Sequence, residues 1–261
     1  MLDFADSESA RSTINDWTKQ RTGGRITDAL PPGAVDAQTR LVLSNAAYFA
    51  SPWKLTFDVA MTSDQKFLVK PDMSAPVPMM RQTYQFTCFS FNNMKVLRMR
   101  FEGKSPLSMY FVLPQQYGKL AEVESFAVSV WDEAFGHASM HSPKKVRVGI
   151  PRFSFSHTMA LKDVLASIGM RLPFDIEKAD FSRIRDPKDQ ELFLTDVHHR
   201  AFVKIDEKGA EAAAVTLPVA GAKDKGPGSL SEFIADEPFL FFIRHDPTGL
   251  ILFMGRVSDP R

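Results

Sequence analysis

The sequence has one cysteine, Cys88, among 261 residues. It cannot close an internal disulfide. A chain of this length buries enough core to do without one, so the redox compartment stays open. Tyrosine and tryptophan are also scarce, 4 and 3 residues against 22 phenylalanines, which places most aromatics in a core. Neither sign of charge is in excess. With 32 basic and 31 acidic residues, a net charge of +1 gives no electrostatic case for nucleic acid or an anionic membrane as partner. No apolar run is long enough to span a membrane. The opening residues lack the basic and apolar regions of a signal peptide.

Patterns that carry chemistry are missing too. There is no Gly-x-Ser-x-Gly elbow, P-loop, Gly-x-Gly-x-x-Gly or His-Glu-x-x-His. The expectation is a protein without enzymatic activity, cofactor or metal. His137 and His141 are four apart, but Ser139, Ser142 and Pro143 mark a helix ending there, and no further ligand is near. His198 and His199 adjoin in a strand, so their rings point to opposite faces; the plain reading is a hydrogen-bonded core histidine. Cys88, in the alternating run Tyr84–Phe91, reads as a packed strand thiol.

Hydrophobic periodicity gives the elements. Asp6 to Gln20 reads as an amphipathic helix, capped by Ser7 or Ser9, with Ala10, Ile14 and Trp17 on one face. Thr22-Gly-Gly24 stops it, and Ile26 to Leu30 reads as a further turn of helix. Leu41 to Phe49 is apolar almost throughout and predicts a strand buried on both faces, with Asn45 a buried polar residue in need of partners. Strands follow at Gln82–Phe91, Lys95–Phe101 and Leu107–Leu113, with Asn92-Asn93 as a hairpin turn. Helices are predicted over Leu120–Ala138 and Met159–Met170, the second with Leu161, Val164, Leu165 and Ile168 on one face. Lys145–Phe155, Phe193–Ile205, Pro238–Ile243 and Gly249–Met254 read as strands. Without regular βαβ alternation, the fold class is α+β with large, mainly antiparallel sheets. No internal repeat or linker divides the chain.

The segment Asp206–Leu217 is unusual. Its Ala, Glu and Lys residues suit a surface helix. Extended, Ala210, Ala212, Ala214 and Thr216 form one uniformly small face, suited to slide between existing strands. A polar, glycine-rich run, Gly221–Ser229, follows.

The strand before it favours the extended reading. Val197-His-His-Arg-Ala201, followed by Ile205-Asp-Glu-Lys-Gly-Ala-Glu-Ala-Ala-Ala214, resembles the fifth main-sheet strand and proximal hinge of the serpin family. Phe233–Ile243 and Phe253–Pro260 resemble its C-terminal motifs. Ile14–Trp17, Thr22–Ile26, Leu43–Phe49, Trp53 and Val77–Met80 fit in order. The resemblance covers nearly the whole chain, starting at what resembles helix F, with the preceding helices and two main-sheet strands outside it. It implies a single, partial serpin domain over 1–261 with a reactive-centre loop at 206–232 and a hinge at 206–217.

The family resemblance also implies a mechanism. Serpins offer this loop as bait to a serine or cysteine protease, become acyl-linked on cleavage, and insert the loop as an extra strand that distorts the protease. The hinge residues implied are Glu207, Gly209, Ala210, Ala212, Ala213, Ala214 and Thr216. Family spacing from Glu207 puts the scissile bond between Lys223 and Asp224, with Ala222 and Lys225 as alternatives; a lysine there suits a trypsin-like pocket. Asn45 and His199 match the shutter that controls sheet opening, and Trp53 matches the breach where insertion starts. Pro218, which cannot donate to a ladder, departs from the pattern, and Glu237 is unusual at its place. The implied partner is a trypsin-like protease, met extracellularly by family habit, with the inhibitor a monomer. The alternatives are a non-inhibitory binding or chaperone member, or a truncated chain that is only a protease substrate.

Overall fold

Alternating apolar runs become strands along most of the chain. The computed structural model describes residues 2–127, 131–184, 192–210 and 230–261. In chain order these form α1 (Ser7–Arg21), β1 (Leu41–Tyr48), β2 (Ser51–Pro52), β3 (Ser63–Lys70), β4 (Met73–Phe91), β5 (Met94–Arg100), β6 (Leu107–Pro114), α2 (Leu120–Ala127) and α3 (Trp131–Met140). There follow β7 (Lys144–Pro151), β8 (Phe153–Ala160), α4 (Lys162–Ser167), β9 (Leu194–Asp206), β10 (Gly209–Ala210), β11 (Ser231–Ile234), β12 (Phe239–His245) and β13 (Ile251–Val257). Two compact units result, Met1–Phe49 with Phe155–Val203, and Ala50–Ser154 with Lys204–Arg261.

In the first unit, β1 and β9 run parallel, Leu43 opposite Val197 and Tyr48 opposite Phe202, and β8 also pairs with β9. Helix α1 is capped by Asp6, whose carboxylate accepts the Ser9 amide, rather than by Ser7 or Ser9. Its buried residues are Ala10, Asn15 and Thr18, whereas Trp17 is exposed. Ile26–Leu30 is not helical. Side chains satisfy its backbone instead: Asn15 donates to Leu30 O at 3.1 Å and accepts Leu30 N–H at 2.9 Å, and Thr22 Oγ1 accepts Ile26 N–H at 3.1 Å. Strand β1 is not buried on both faces; Leu43 is half exposed, and Asn45 lies at the surface. The helix expected over Met159–Met170 shortens to the six residues of α4, because β8 carries the chain as strand through Ala160. Val164 and Ile168, expected on the apolar face of an amphipathic helix, are exposed.

In the second unit an eight-stranded sheet has the order β11-β7-β4-β5-β6-β12-β13, with β3 on β4. Strand β4 belongs to two ladders. Met79 to Phe86 pair with β7, and Thr87 to Phe91 pair with β5. Asn92-Asn93 makes the β4–β5 hairpin turn as expected, Asn92 taking the positive φ of 49° that Asn tolerates. The helix expected over Leu120–Ala138 is helical as α2 over Leu120–Ala127 and as α3 from Trp131, with residues 128–130 outside the described residues, and α3 extends to Met140. These helices cover Phe89, Met94, Val96, Tyr110 and Val112 with Leu120, Val123 and Phe135. Phe67, Phe111 and Phe153 surround Phe239, with ring centroids 5.9–6.5 Å away. Most of the described phenylalanines are buried. Cys88 is buried, and desolvation raises its pKa. His141 stacks on Phe89 at 4.9 Å. Ser231 and Glu232, expected at the end of the loop, are already strand in β11, parallel to β7.

Candidate functional site

Three of the seven expected hinge residues, Glu207, Gly209 and Ala210, are described, and they form a hairpin head in the second unit. Asp206 ends β9, Glu207-Lys208 turn, and β10 returns antiparallel, Gly209 opposite Asp206 and Ala210 opposite Ile205. Asp206 Oδ1 accepts the Lys208 amide at 2.9 Å and sets the turn. The other edge of β10 pairs with β2, Gly209 opposite Pro52 and Ala210 opposite Ser51. Ala210 is fully buried.

Only glycine fits at 209. Its φ is +141°, and a Cβ there would press on Ser51 O, lie 2.6 Å from Pro52 Cα and 2.7 Å from Trp53 N. The sequence suggested a glycine for rotation; the close backbone approach adds a second reason that only the fold reveals.

Trp53 lies beneath this turn, 1% exposed. Its indole donates to Asp206 O at 3.0 Å, its amide to Lys208 O at 2.8 Å, and its ring stacks on Phe101 at 4.5 Å. The Phe57 amide donates to Glu207 O at 2.9 Å. The expected breach residue and the expected hinge are thus joined by direct hydrogen bonds.

Glu207 is the anchor. Its buried carboxylate accepts from Thr62 Oγ1 at 2.5 Å and from Arg152 Nε at 2.7 Å, with Arg152 Nη2 at 2.5 Å. Burial alone would raise its pKa, but the hydrogen bonds from Arg152 and Thr62 outweigh that and hold it below the usual carboxylate value. Sequence reasoning named Glu207 but missed Thr62 and Arg152, which lie 145 and 55 residues away in the chain.

The expected shutter pair meets in the first unit. Asn45 and His199 are register partners, and Asn45 Oδ1 lies 3.1 Å from His199 Nδ1. They are 154 residues apart. The same spacing separates Ser51 and Ile205 in the second unit, where Ala210 pairs with both. In the first unit β1 and β9 pair directly; in the second, the hinge head stands between their continuations. Beside Asn45, Ser44 Oγ is buried with no hydrogen-bond partner among the described residues. Arg200, not singled out in the sequence, fastens β9 by donating to Ser156 Oγ and Thr158 Oγ1, both at 2.9 Å, and to Asp28 O at 2.7 Å.

Ala212, Ala213, Ala214, Thr216, Pro218 and the candidate reactive residues Ala222, Lys223, Asp224 and Lys225 lie outside the described residues. Among the described residues no group of three or more His, Cys, Asp or Glu is placed to hold a metal, and no helix is long and apolar enough to cross a membrane.

Comparison with known proteins gives a consistent result. The family model described as Serpin (serine protease inhibitor) matches residues 1–260. Serpin-ZXA of Oryza sativa subsp. japonica is 37% identical over 257 residues, covering 95% of this chain and 63% of its own length. Leukocyte elastase inhibitor of Bos taurus is 38% identical, covering 97% of this chain and 67% of its own. Among solved structures, uncleaved ovalbumin superposes with a TM-score of 0.83 at 29% identity, over the whole of this chain and 68% of that one. Native protease nexin-1 with heparin gives 0.82 at 30%, over 99% and 67%. The chain therefore spans about two thirds of the length of the relatives it matches. With the family model matched over residues 1–260 and relatives 37–38% identical over nearly all of it, this chain belongs to the serpin family.

Proposed function

We propose that the chain carries the bait and the receiving strands of a suicide protease inhibitor. A trypsin-like serine protease attacks after Lys223, becomes acyl-linked, and is carried along as the segment after Ala210 adds to the main sheet. The reading needs no catalytic group of the chain's own. It rests above all on the hinge head: Gly209 and Ala210 are already antiparallel to the end of β9 and hydrogen-bonded on both edges. Strand growth from there needs no new nucleus.

The direct β1–β9 ladder fits the state before cleavage. Strand entry requires that ladder to part at Asn45–His199, exchanging one set of backbone hydrogen bonds for two. The small face of Ala210, Ala212, Ala214 and Thr216 enters without large side chains to bury. Extracellular action and a monomeric state are proposed on family resemblance. Pro218 favours a second reading, a binding-type member or a chain that is only cleaved, since a central strand does not accept proline.

Incubation with trypsin separates these readings. The inhibitor gives a covalent complex that survives denaturing electrophoresis, with an N-terminus newly exposed at Asp224. Cleavage with no complex refutes trapping by this chain. Ala210→Arg should convert inhibitor to substrate, because that position is fully buried. Complex formation undiminished by the arginine would refute insertion.

A further inference from the structure

Strand β4 leaves one ladder for another, and a cavity lies where it leaves. Its pairing with β5 runs back from Phe91 and ends at Thr87 opposite Arg98. From Phe86 back, its partner is β7. Beyond Arg98, β5 remains paired to β6 through Met99 and Arg100, so among the described residues the edge of these two toward β4 has no strand beside it. The fork encloses about 270 Å³. Gln82 Nε2 donates to Leu55 O at 3.4 Å, and the Lys54 amide donates to Arg100 O at 2.9 Å, so the Lys54–Leu55 segment closes one side.

The lining combines two chemistries. Tyr84, Phe86, Met99 and Pro143 supply an apolar wall, and Lys54 and Arg100 supply two cations. Both cations are exposed, and neither has an ion-pair partner among the described residues. Arg98, also at the cavity, differs: it donates to Ser108 Oγ at 3.0 Å and is paired with Asp246, which neutralises it. Among the described residues no carboxylate lines the cavity. An apolar slot of this volume, edged by two uncompensated cations, suits a flat aromatic ring system bearing one anionic group.

We infer that the β4–β5 fork is a binding site for a small aromatic anion, with its rings against Tyr84, Phe86 and Met99 and its charge between Lys54 and Arg100. The site lies entirely within the second unit and does not depend on the protease reading.

Calorimetry with 1-naphthalenesulfonate tests it on the full chain. The expected dissociation constant is on the order of 0.1 mM. Binding should weaken as salt is raised, and the neutral analogue 1-naphthalenemethanol should bind about tenfold more weakly. Arg100→Glu and Lys54→Glu, at exposed positions that leave the core intact, should each weaken the sulfonate about tenfold while leaving the melting temperature unchanged. No heat at millimolar sulfonate, equal binding of the neutral analogue, or binding indifferent to both charge reversals would overturn the assignment.

Discussion

Replacing Gly209 by alanine puts a methyl group where the fold has only backbone. A non-glycine residue held in a sparsely populated positive-φ region costs about 1–3 kcal/mol. The added Cβ also meets Pro52 Cα and Trp53 N at 2.6 and 2.7 Å, and neither is the far end of a flexible side chain. The expected response is release of β10 from β2 and β9. The hinge then opens about 3 kcal/mol more readily, roughly a hundredfold in the opening equilibrium. Native-state hydrogen exchange reads this at the Trp53 and Phe57 amides, which donate to Lys208 O and Glu207 O. Both should exchange roughly a hundredfold faster, while amides in the β5–β6 ladder stay protected. Gly136→Ala is the control, because a Cβ there meets nothing within 4 Å and lies within α3. It should be neutral or stabilising by about 0.5–1 kcal/mol. Unchanged Trp53 and Phe57 protection in Gly209→Ala would refute the close-approach argument.

Removing the anchor should act on the same turn. Arg152→Ala leaves the Glu207 carboxylate buried with Thr62 and its own backbone amide; because the arginine side chain is 41% exposed, the screened loss is about 1–2 kcal/mol, read by chemical denaturation. Glu207 has a lowered folded pKa, so its contribution is present above the unfolded value near 4.3 and fades as pH falls through the folded value. An acid titration of stability should lose a step below about pH 4 that Glu207→Gln lacks. Tyr110 runs the other way. Burial pushes its pKa up to about 12, with Arg98 opposing and Asp246 reinforcing the shift. Its contribution holds below the unfolded value near 10 and is lost as pH rises toward 12. Ultraviolet titration of the native protein should show a phenol ionising near pH 12 that Tyr110→Phe removes. Buried Cys88 should react with a thiol reagent much more slowly in the folded protein than in denaturant; equal rates would contradict its burial.

The elements that local chemistry specifies were legible in the sequence. Asn92-Asn93 turns the β4–β5 hairpin, Thr22-Gly-Gly24 stops α1, and the alternation of Lys145–Ile150 became β7. Misreadings arose where tertiary partners decide. Ile26–Leu30 has a helical composition, but Asn15 satisfies both backbone groups of Leu30 from α1. Met159 and Ala160 read as helix, but β8 takes them as strand. β3 was overlooked; Ser63–Lys70 has no strict alternation and is held by its antiparallel pairing with β4. At the site, motif resemblance named Glu207, Gly209, Trp53, Asn45 and His199. It missed Thr62, Arg152 and Arg200, because a single arginine or threonine carries no local pattern. Their importance comes from a partner brought close only by folding. The β4–β5 fork was invisible for the same reason, since nothing in Gln82–Phe91 marks where one ladder gives way to another.

Thermal unfolding before and after cleavage at Lys223 tests the central claim, that the hinge segment inserts as a strand. Insertion adds ladder hydrogen bonds on both edges of the new strand and buries its small face, so the cleaved form should unfold at a clearly higher temperature than the intact chain. A cleaved form that unfolds at the same temperature or lower would contradict insertion, whatever protease had made the cut.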